Sequence, residues 1–455
     1  MANVTARDCS PFDKDDNNLK TLSENFLKAN PKALENDEMV VSLRTCAYED
    51  KIQTRWWAGR YIGLAKIGNC KISIRPRFGE KFLLKVLEDV YGYRFCSNDS
   101  SLKSDFSDDW FKSLLNILRR KQWIEKCTIA NRYGLPRKVV KMRHQGSIIR
   151  GAIDVQRTIL PWIKKNEVVS NTFEKVFDDS ICKIVYEAYR IISRDIVKKK
   201  KGSRIENANA EIPQAVTETI NALNNEYKGT AFNVTESDYR RINYKSVYAS
   251  WKPLVDLSWS IIGNRNLNML ESENNSECIF IDMAEIWEAF LRKKLAEGLK
   301  NDNWKVWSIE ECKLPVYEKS FFSRHIVPDI VLQRYANGKE QFLIFDAKYK
   351  RMTGTNNDVD RSDFLQIHTY IHYFQHAYPQ SEVLLGGLLY PISANEEKIV
   401  NEKNHLFGKS DGEFNTKFII DGVVCSEHNK EFIPEDMDYS VEAMINRISK
   451  HIEEY

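Results

Sequence analysis

The chain has 455 residues, 42% hydrophobic and 29% charged, with a formal net charge of +3. That length supports two or three domains with cores of their own, and the composition excludes an intrinsically disordered chain. No apolar run approaches the ~20 residues that span a bilayer, and Met1-Ala-Asn-Val-Thr-Ala-Arg-Asp-Cys9 lacks the apolar core of a signal peptide. No membrane partner is expected. The nine cysteines stand singly, without a Cys-x-x-Cys pair. This favours reduced thiols in a cytoplasmic protein over a disulfide scaffold or a zinc ribbon.

Residues 1–130 read as an N-terminal module of mixed α and β character. A polar lead-in precedes a helix around Leu19–Ala29, which Asn30-Pro31 ends because a residue before proline is pushed out of the α region. Tyr61–Arg75 reads as a hairpin of two alternating runs about a Gly68-Asn69 turn, closed by Pro76-Arg77-Phe78-Gly79. Phe82–Tyr91 and Trp110–Gln122 read as helices. Residues 131–270 form a basic, mainly helical middle region. Between Asn131 and Arg204 there are 18 Lys/Arg against 7 Asp/Glu. Such a segment is either a footprint of phosphate contacts or a solvated face, and charge alone does not choose. A mixed segment around Arg150–Asp154 is followed by Asp178-Asp179-Ser180, which offers N-caps for a helix from Ile181 to Val197. Lys198–Lys201 closes that helix in the sense its dipole favours. Lys201–Glu211 is linker-like, Ala215–Tyr227 and Ser246–Ile262 read as helices, and polar Glu271–Glu277 marks a boundary. Residues 271–390 are then the last full domain. Residues 391–455 are an extension with a hairpin-like stretch and a helix near Val441–Ile452.

The chemistry concentrates in 271–390. Asp282 caps a helix whose stripe is Met283, Ile286, Trp287, Phe290, Leu291 and Leu295. At 100° per residue Glu288 lies near the edge of that stripe, whereas Glu285 turns toward solvent. Next come His325–Tyr335 and Gln341–Tyr349, two apolar runs about Asn337-Gly338, the strongest short-range hairpin signal. With Asn337 and Gly338 as the turn, Asp329 lies directly across from Asp346. Lys348, two residues on, projects from the same face. Like charges facing each other across strands repel. The apolar neighbours Ile330, Val331, Leu332, Leu343, Ile344 and Phe345 mark strands buried on both faces, where a charge is paired or coordinates metal. Two carboxylates and a lysine so placed suit a divalent metal and a phosphate.

After the hairpin, Asp363 can cap a helix from Phe364 to Ala377, with Gln366 and Tyr370 one turn apart on one side. His368, His372 and His376 form a row on the same helix. It has one ligand type and faces away from Gln366, so a zinc site is not expected there. Gly408-Lys409-Ser410 ends like a P-loop, but Lys403 stands where its first glycine is needed, so this is no Walker A motif.

The hairpin constellation resembles the PD-(D/E)XK nuclease superfamily. Beyond it, Asp282-Met-Ala-Glu-Ile-Trp-Glu-Ala-Phe290, Pro328-Asp329, Asp346-Ala-Lys-Tyr-Lys350 and Asp363-Phe-Leu-Gln-Ile-His-Thr-Tyr370 look like successive blocks of the McrC family. McrC proteins are the nuclease subunits of McrBC-type restriction systems. Upstream, Tyr61–Leu64, Ile72–Phe78 and Arg150–Asp154 resemble that family's earlier regions, and the likeness spans roughly 55–390. It implies an α/β chain: a C-terminal restriction-endonuclease-like domain after a mixed α+β N-terminal module and a helical middle region. It also implies Mg²⁺, with Mn²⁺ as a substitute, held by Asp329, Asp346 and Glu288. Lys348 would stabilise developing charge or orient water, and Gln366 with Tyr370 would hold the reacting water or the DNA backbone. The partners implied are double-stranded DNA and a separate McrB-like AAA+ NTPase, docking around the Tyr61–Arg75 hairpin. The target is either modified cytosine or, as in LlaJI- and BsuMI-like systems, an unmethylated specific site. The alternatives are a stand-alone repair-type nuclease and a non-catalytic DNA- or NTPase-binding adaptor that keeps the fold.

Overall fold

The structure, a computed structural model, describes residues 2–29, 39–48, 51–67, 70–92, 107–197, 212–266, 279–317, 324–350, 360–393, 403–405, 416–426 and 433–453. Asn30-Pro31, Gly68-Asn69, the Lys198–Lys201 run, the Lys201–Glu211 and Glu271–Glu277 stretches and Gly408-Lys409-Ser410 lie outside these residues. Helices and several sheets alternate along the chain, a mixed α/β architecture. It divides into two compact units. Met1–Ser23, Ala33–Asp108 and Phe280–Tyr455 form one, and Glu24–Lys32 with Asp109–Ile279 the other.

The first unit holds two larger sheets. In the four-stranded one, Tyr61–Ile67 and Cys70–Arg75 pair antiparallel as expected. Ala2–Arg7 adds in parallel to the outer side of Cys70–Arg75, and Ile279–Asp282 covers the other side of Tyr61–Ile67. Ile62, Leu64, Ala65, Ile72 and Ile74 are buried. Both hairpin strands are thus interior to the sheet.

The six-stranded sheet carries the chemistry, in the order Lys305–Val306, Ile330–Ala336, Lys339–Ala347, Glu382–Ser393, Lys417–Ser426, Lys403–His405. Ile330 pairs with Phe345 and Ala336 with Lys339, so Asn337-Gly338 is the turn. Both turn residues have positive φ, 54° and 78°, as a two-residue hairpin turn with this twist requires. Lys339–Ala347 and Glu382–Ser393 run parallel, and parallel neighbours need a crossover, here the Arg361–Ala377 helix. Val331, Phe342 and Ile344 pack with Ile367, Ile371 and Phe374 of that helix in one core. The alternate residues Ile330, Leu332, Leu343 and Phe345 are equally buried and face the other way. Residues after Pro391 complete this sheet. Lys417–Ser426 pairs parallel to Glu382–Ser393, and the Pro434–Glu453 helix returns over it. Arg447 of that helix holds buried Asp421 at 2.7 and 2.9 Å.

The second unit packs helices Asp108–Ala130, Asp179–Val197, Gln214–Tyr227 and Lys252–Asn266 around Trp123, Tyr186 and Trp251. Asp178 accepts from Ser180 Oγ at 2.7 Å at the start of its helix, as its position in the sequence suggests. A long antiparallel ribbon interrupts the expected helical run. Arg137–Gly146 pairs along its whole length with Val168–Phe177. Arg137–Gly146 has no buried residue, so the alternation that signals a half-buried strand is missing.

Gly386 lets the crossover helix approach the sheet: a Cβ there would fall 2.3 Å from Ile371 Cδ1. Gly386→Val should therefore destabilise the protein by about 1–3 kcal/mol. Chemical denaturation of wild type and variant measures this, and equal midpoints would contradict the close packing.

Candidate active site

The site sits where the central hairpin ends. Pro328 is buried and the ladder's last pair is Ile330 with Phe345, so Asp329 stands one residue beyond it, its side chain against that of Asp346. Asp329 Oδ2 accepts the Ala347 N–H at 2.8 Å. The Arg292 guanidinium donates to the carbonyl oxygens of Asp329 and Trp307, pinning the backbone from the helix side. Asp346 is 1% exposed. Burial pushes the Asp329 carboxyl well above the usual aspartate range, and the hydrogen-bonded, charged neighbour Asp346 and the charge of Glu288 push it further. Two buried carboxylates this close do not both ionise unless a cation joins them.

Lys348 supplies one positive charge. Its Nζ lies 2.8 Å from Asp346 Oδ2, 2.9 Å from Gln366 Oε1 and 3.2 Å from Asp363 Oδ1. Burial works against its charge, but Asp346 and Asp363 outweigh it and raise the lysine above its ordinary value. Lys348 is therefore an ammonium, a donor rather than a base. The Gln366 amide is oriented by its other end. Nε2 donates to Tyr370 Oη at 2.7 Å, and Tyr370 Oη donates to the Val327 carbonyl at 3.2 Å. That chain of bonds ties the helix residues back to the strand that carries Asp329.

Glu288 is half-buried and within electrostatic reach of Asp329, whereas Glu285 is exposed, the distribution that helical geometry predicts. Among the described residues no group of three or more His, Cys, Asp or Glu is placed to hold a metal ion by itself. Of the histidine row, His372 and His376 are exposed, and His368 Nδ1 lies 2.8 Å from the Phe364 carbonyl. The aspartate pair nevertheless fits a hard divalent cation. It offers oxygen donors, and Asp346 Oδ2 is buried without a well-directed hydrogen bond; the Lys348 contact satisfies charge and distance only. Mg²⁺ is commonly held by one or two carboxylates, with water and phosphate completing its shell.

Sequence reasoning missed three supports. Asp363 does not cap its helix. Asp360 occupies the N-cap of Arg361–Ala377, and Asp363, 4% exposed in the first turn, turns its carboxylate to Lys348 and Lys350. Arg292, unremarked in the sequence, binds the Asp329 and Trp307 carbonyls. Arg77 reads only as the end of a hairpin. Its guanidinium lies 4.6 Å from the Tyr349 ring centre and donates to the Lys350 carbonyl at 2.8 Å, and its backbone N–H donates to Asp8. Burial pushes the Asp8 carboxyl up, against the pull of Arg77. The only sequence signal for this brace is a cluster of charge and aromatic rings in an otherwise apolar neighbourhood, Arg75-Pro-Arg-Phe78.

The family described as McrBC 5-methylcytosine restriction system component matches residues 57–391. The chain belongs to that family. The matched span coincides to within two residues with the 55–390 over which the sequence blocks resemble it. Two solved structures are similar to this McrBC component. One is the refined half-complex from a tetradecameric assembly of Thermococcus gammatolerans McrB AAA+ hexamers with bound McrC: 15% identity, 98% of this chain and 100% of that one, TM-score 0.41. The other is the cryo-EM structure of the Thermococcus gammatolerans McrBC complex: 15% identity, 66% and 88%, TM-score 0.31. Comparison with curated proteins finds no match.

The raised Asp329 carboxyl sets a pH dependence. A carboxyl whose folded-state value is raised contributes stability that is whole in acid and lost as pH rises through that folded-state value. In chelator, Asp329→Asn should raise the melting temperature by roughly 1–3 °C at mildly alkaline pH and leave it unchanged in acid, since facing like charges are relieved only where both are ionised. Mg²⁺ should then lift the wild type more than the variant, because a ligand of the folded state stabilises by mass action. Melting curves with and without Mg²⁺ at the two pH values decide it; equal Mg²⁺ shifts would remove Asp329 from the cation site.

Proposed function

We propose that this chain is the McrC-type nuclease subunit of an McrBC restriction system, hydrolysing phosphodiester bonds of double-stranded foreign DNA with Mg²⁺ or Mn²⁺. The observation that carries the reading is the pairing of half-buried Asp329 with enclosed Asp346, with the Lys348 ammonium 2.8 Å from the second. Asp329 and Asp346, with Glu288 behind them, would hold the cation. When bound, that cation supplies Lewis-acid polarisation of the scissile phosphate and lowers the pKa of a water. Lys348 donates to a phosphate oxygen as negative charge develops there, or orients the water. Gln366, locked by Tyr370, keeps the lysine aimed. The arrangement speaks against an adaptor with a dead site, because two facing carboxylates in a buried strand pair destabilise a fold that has no use for them.

A restriction-system component acts with others. The partner we propose is a separate McrB-like AAA+ NTPase, since the Gly408-Lys409-Ser410 sequence is no Walker A motif. The docking surface we assign is the ribbon and short helix of the second unit. Val139 and Phe173 on the ribbon, and Ile159, Leu160, Trp162 and Ile163 on the Val155–Lys165 helix, are each more than half exposed. Soluble proteins seldom leave such a patch uncovered. The family description favours modified cytosine over an unmethylated site as the target.

Two experiments test the proposal. With the NTPase, its nucleotide, Mg²⁺ and cytosine-methylated DNA, Asp346→Ala or Lys348→Ala should slow cleavage at least about a hundredfold with folding intact. Cleavage by both variants at the wild-type rate ends the nuclease assignment. Leu160→Asp with Ile163→Asp should abolish co-elution with the NTPase without lowering the melting temperature, because both side chains are exposed in the free chain. Undiminished co-elution moves the docking surface elsewhere.

A further inference from the structure

We propose that Asp363 is the positioning residue of this site: its buried carboxylate gathers the ammonium groups of Lys348 and Lys350 on one side of the strand end and so sets where Lys348 meets a phosphate. The inference rests on the nuclease reading of Asp329, Asp346 and Lys348.

An aspartate in the first turn of a helix ordinarily caps it or faces solvent near the positive end of the dipole. Asp363 is 4% exposed and spans two cations instead, with Oδ1 3.2 Å from Lys348 Nζ and Oδ2 2.9 Å from Lys350 Nζ. Lys350 also meets Asp360 at 2.8 Å. Past the strand's end at Ala347, Lys348 and Lys350 both reach Asp363, whereas Tyr349 lies against Arg77. Two ammonium groups side by side repel, and a carboxylate shared between them offsets that repulsion. The burial of Asp363 is in turn satisfied by its two partners.

The geometry also bears on Lys348 alone. Its flexible stem carries a compact point charge that follows the nearest anion. Without Asp363, the remaining carboxylate beside it is Asp346, one of the two proposed cation ligands. Asp363 offers a second carboxylate from the helix, 3.2 Å away, and Gln366 supplies the third oxygen. The lysine is thereby held between two carboxylates rather than collapsed onto one.

Accessibility of the amines reads this directly. The full chain is treated with a limiting amine-acylating reagent, and each lysine is scored by peptide mass spectrometry. Asp363→Asn is isosteric, but its amide presents one acceptor and one donor, so it keeps at most one of the two lysines. Modification of Lys348 should rise about tenfold, the worth of one charge-assisted hydrogen bond. Lys305, 74% exposed, should not change. Asp363→Ala, scored alongside, covers the case in which the amide keeps Lys348. Asp360→Asn should raise modification of Lys350, which keeps Asp363, and leave Lys348 unchanged. In cleavage assays with the NTPase, Asp363→Asn should lower kcat about tenfold and leave KM for DNA in place. If Lys348 modification is unchanged in both Asp363 variants, or if Lys305 rises with it, the proposal is overturned whatever cleavage does. If modification rises as expected while the wild type cuts no DNA, Asp363 still gathers the two lysines and it is the nuclease reading, with the phosphate role built on it, that falls.

Discussion

Two carboxylates face each other at the end of a hairpin whose strands are buried on both sides, and the surrounding structure is arranged around that repulsion. Asp346 is almost fully enclosed, and Asp329 is half-buried opposite it. Neither can move away, because register is set by the Asn337-Gly338 turn and by the apolar residues on both faces. A one-residue slip would turn each of those residues to the wrong face. The charge is instead met where it stands. Lys348 pairs with Asp346, the Ala347 N–H binds Asp329, and Arg292 holds the Asp329 backbone from below. Burial and the remaining repulsion show as a raised carboxyl on Asp329.

The strand that carries this charge is gripped beyond its end. Lys348 and Lys350 point to the crossover helix and meet Asp363. Tyr349 points the other way, buried beside Arg77. The segment just past the strand is thus clamped from two sides. The Arg77 jaw is a buried cation, which carries a desolvation penalty unless paired and hydrogen-bonded. The Lys350 carbonyl accepts one guanidinium N–H, the nearby Asp8 carboxyl supplies opposite charge, and the rings of Phe78 and Tyr349 lie against the cation, while Nε and Nη1 are buried without a hydrogen bond. The N-terminal strands thereby brace the site from positions far away in sequence.

What was legible in the sequence follows from this division. The hairpin, its register and the Asp329–Asp346–Lys348 face were readable because turn chemistry and alternation are local. That Glu288 is half-buried and Glu285 exposed was readable because helical phase is local. Asp363 was misread as a cap, since an acid before an apolar helix has that as its commonest use, and its lysine partners lie on another element. The Arg137–Gly146 ribbon was missed because it buries no face. The sheet strands after Pro391 read as an appendage, although they extend the same sheet, because parallel pairing leaves no short-range signal. The place of Ala2–Arg7 beside Cys70–Arg75 was hidden for the same reason.

Long-range assembly also bears on when the site forms. Asp329 and Asp346 can meet as soon as the hairpin closes, a local event. The groups that orient Lys348 come later. Asp363 and Gln366 arrive with the crossover helix, and that helix is held only once Glu382–Ser393 pairs with Lys339–Ala347. Arg77 and Asp8 arrive only when the N-terminal strands dock against residues 349 and 350. Contacts of such sequence separation are made late, because loop-closure entropy is lost before they repay it. The repelling pair is thus the first part of the site that the chain can form, and its restraints are the last. A hairpin of this kind persists because its apolar faces, not its charges, drive its closure.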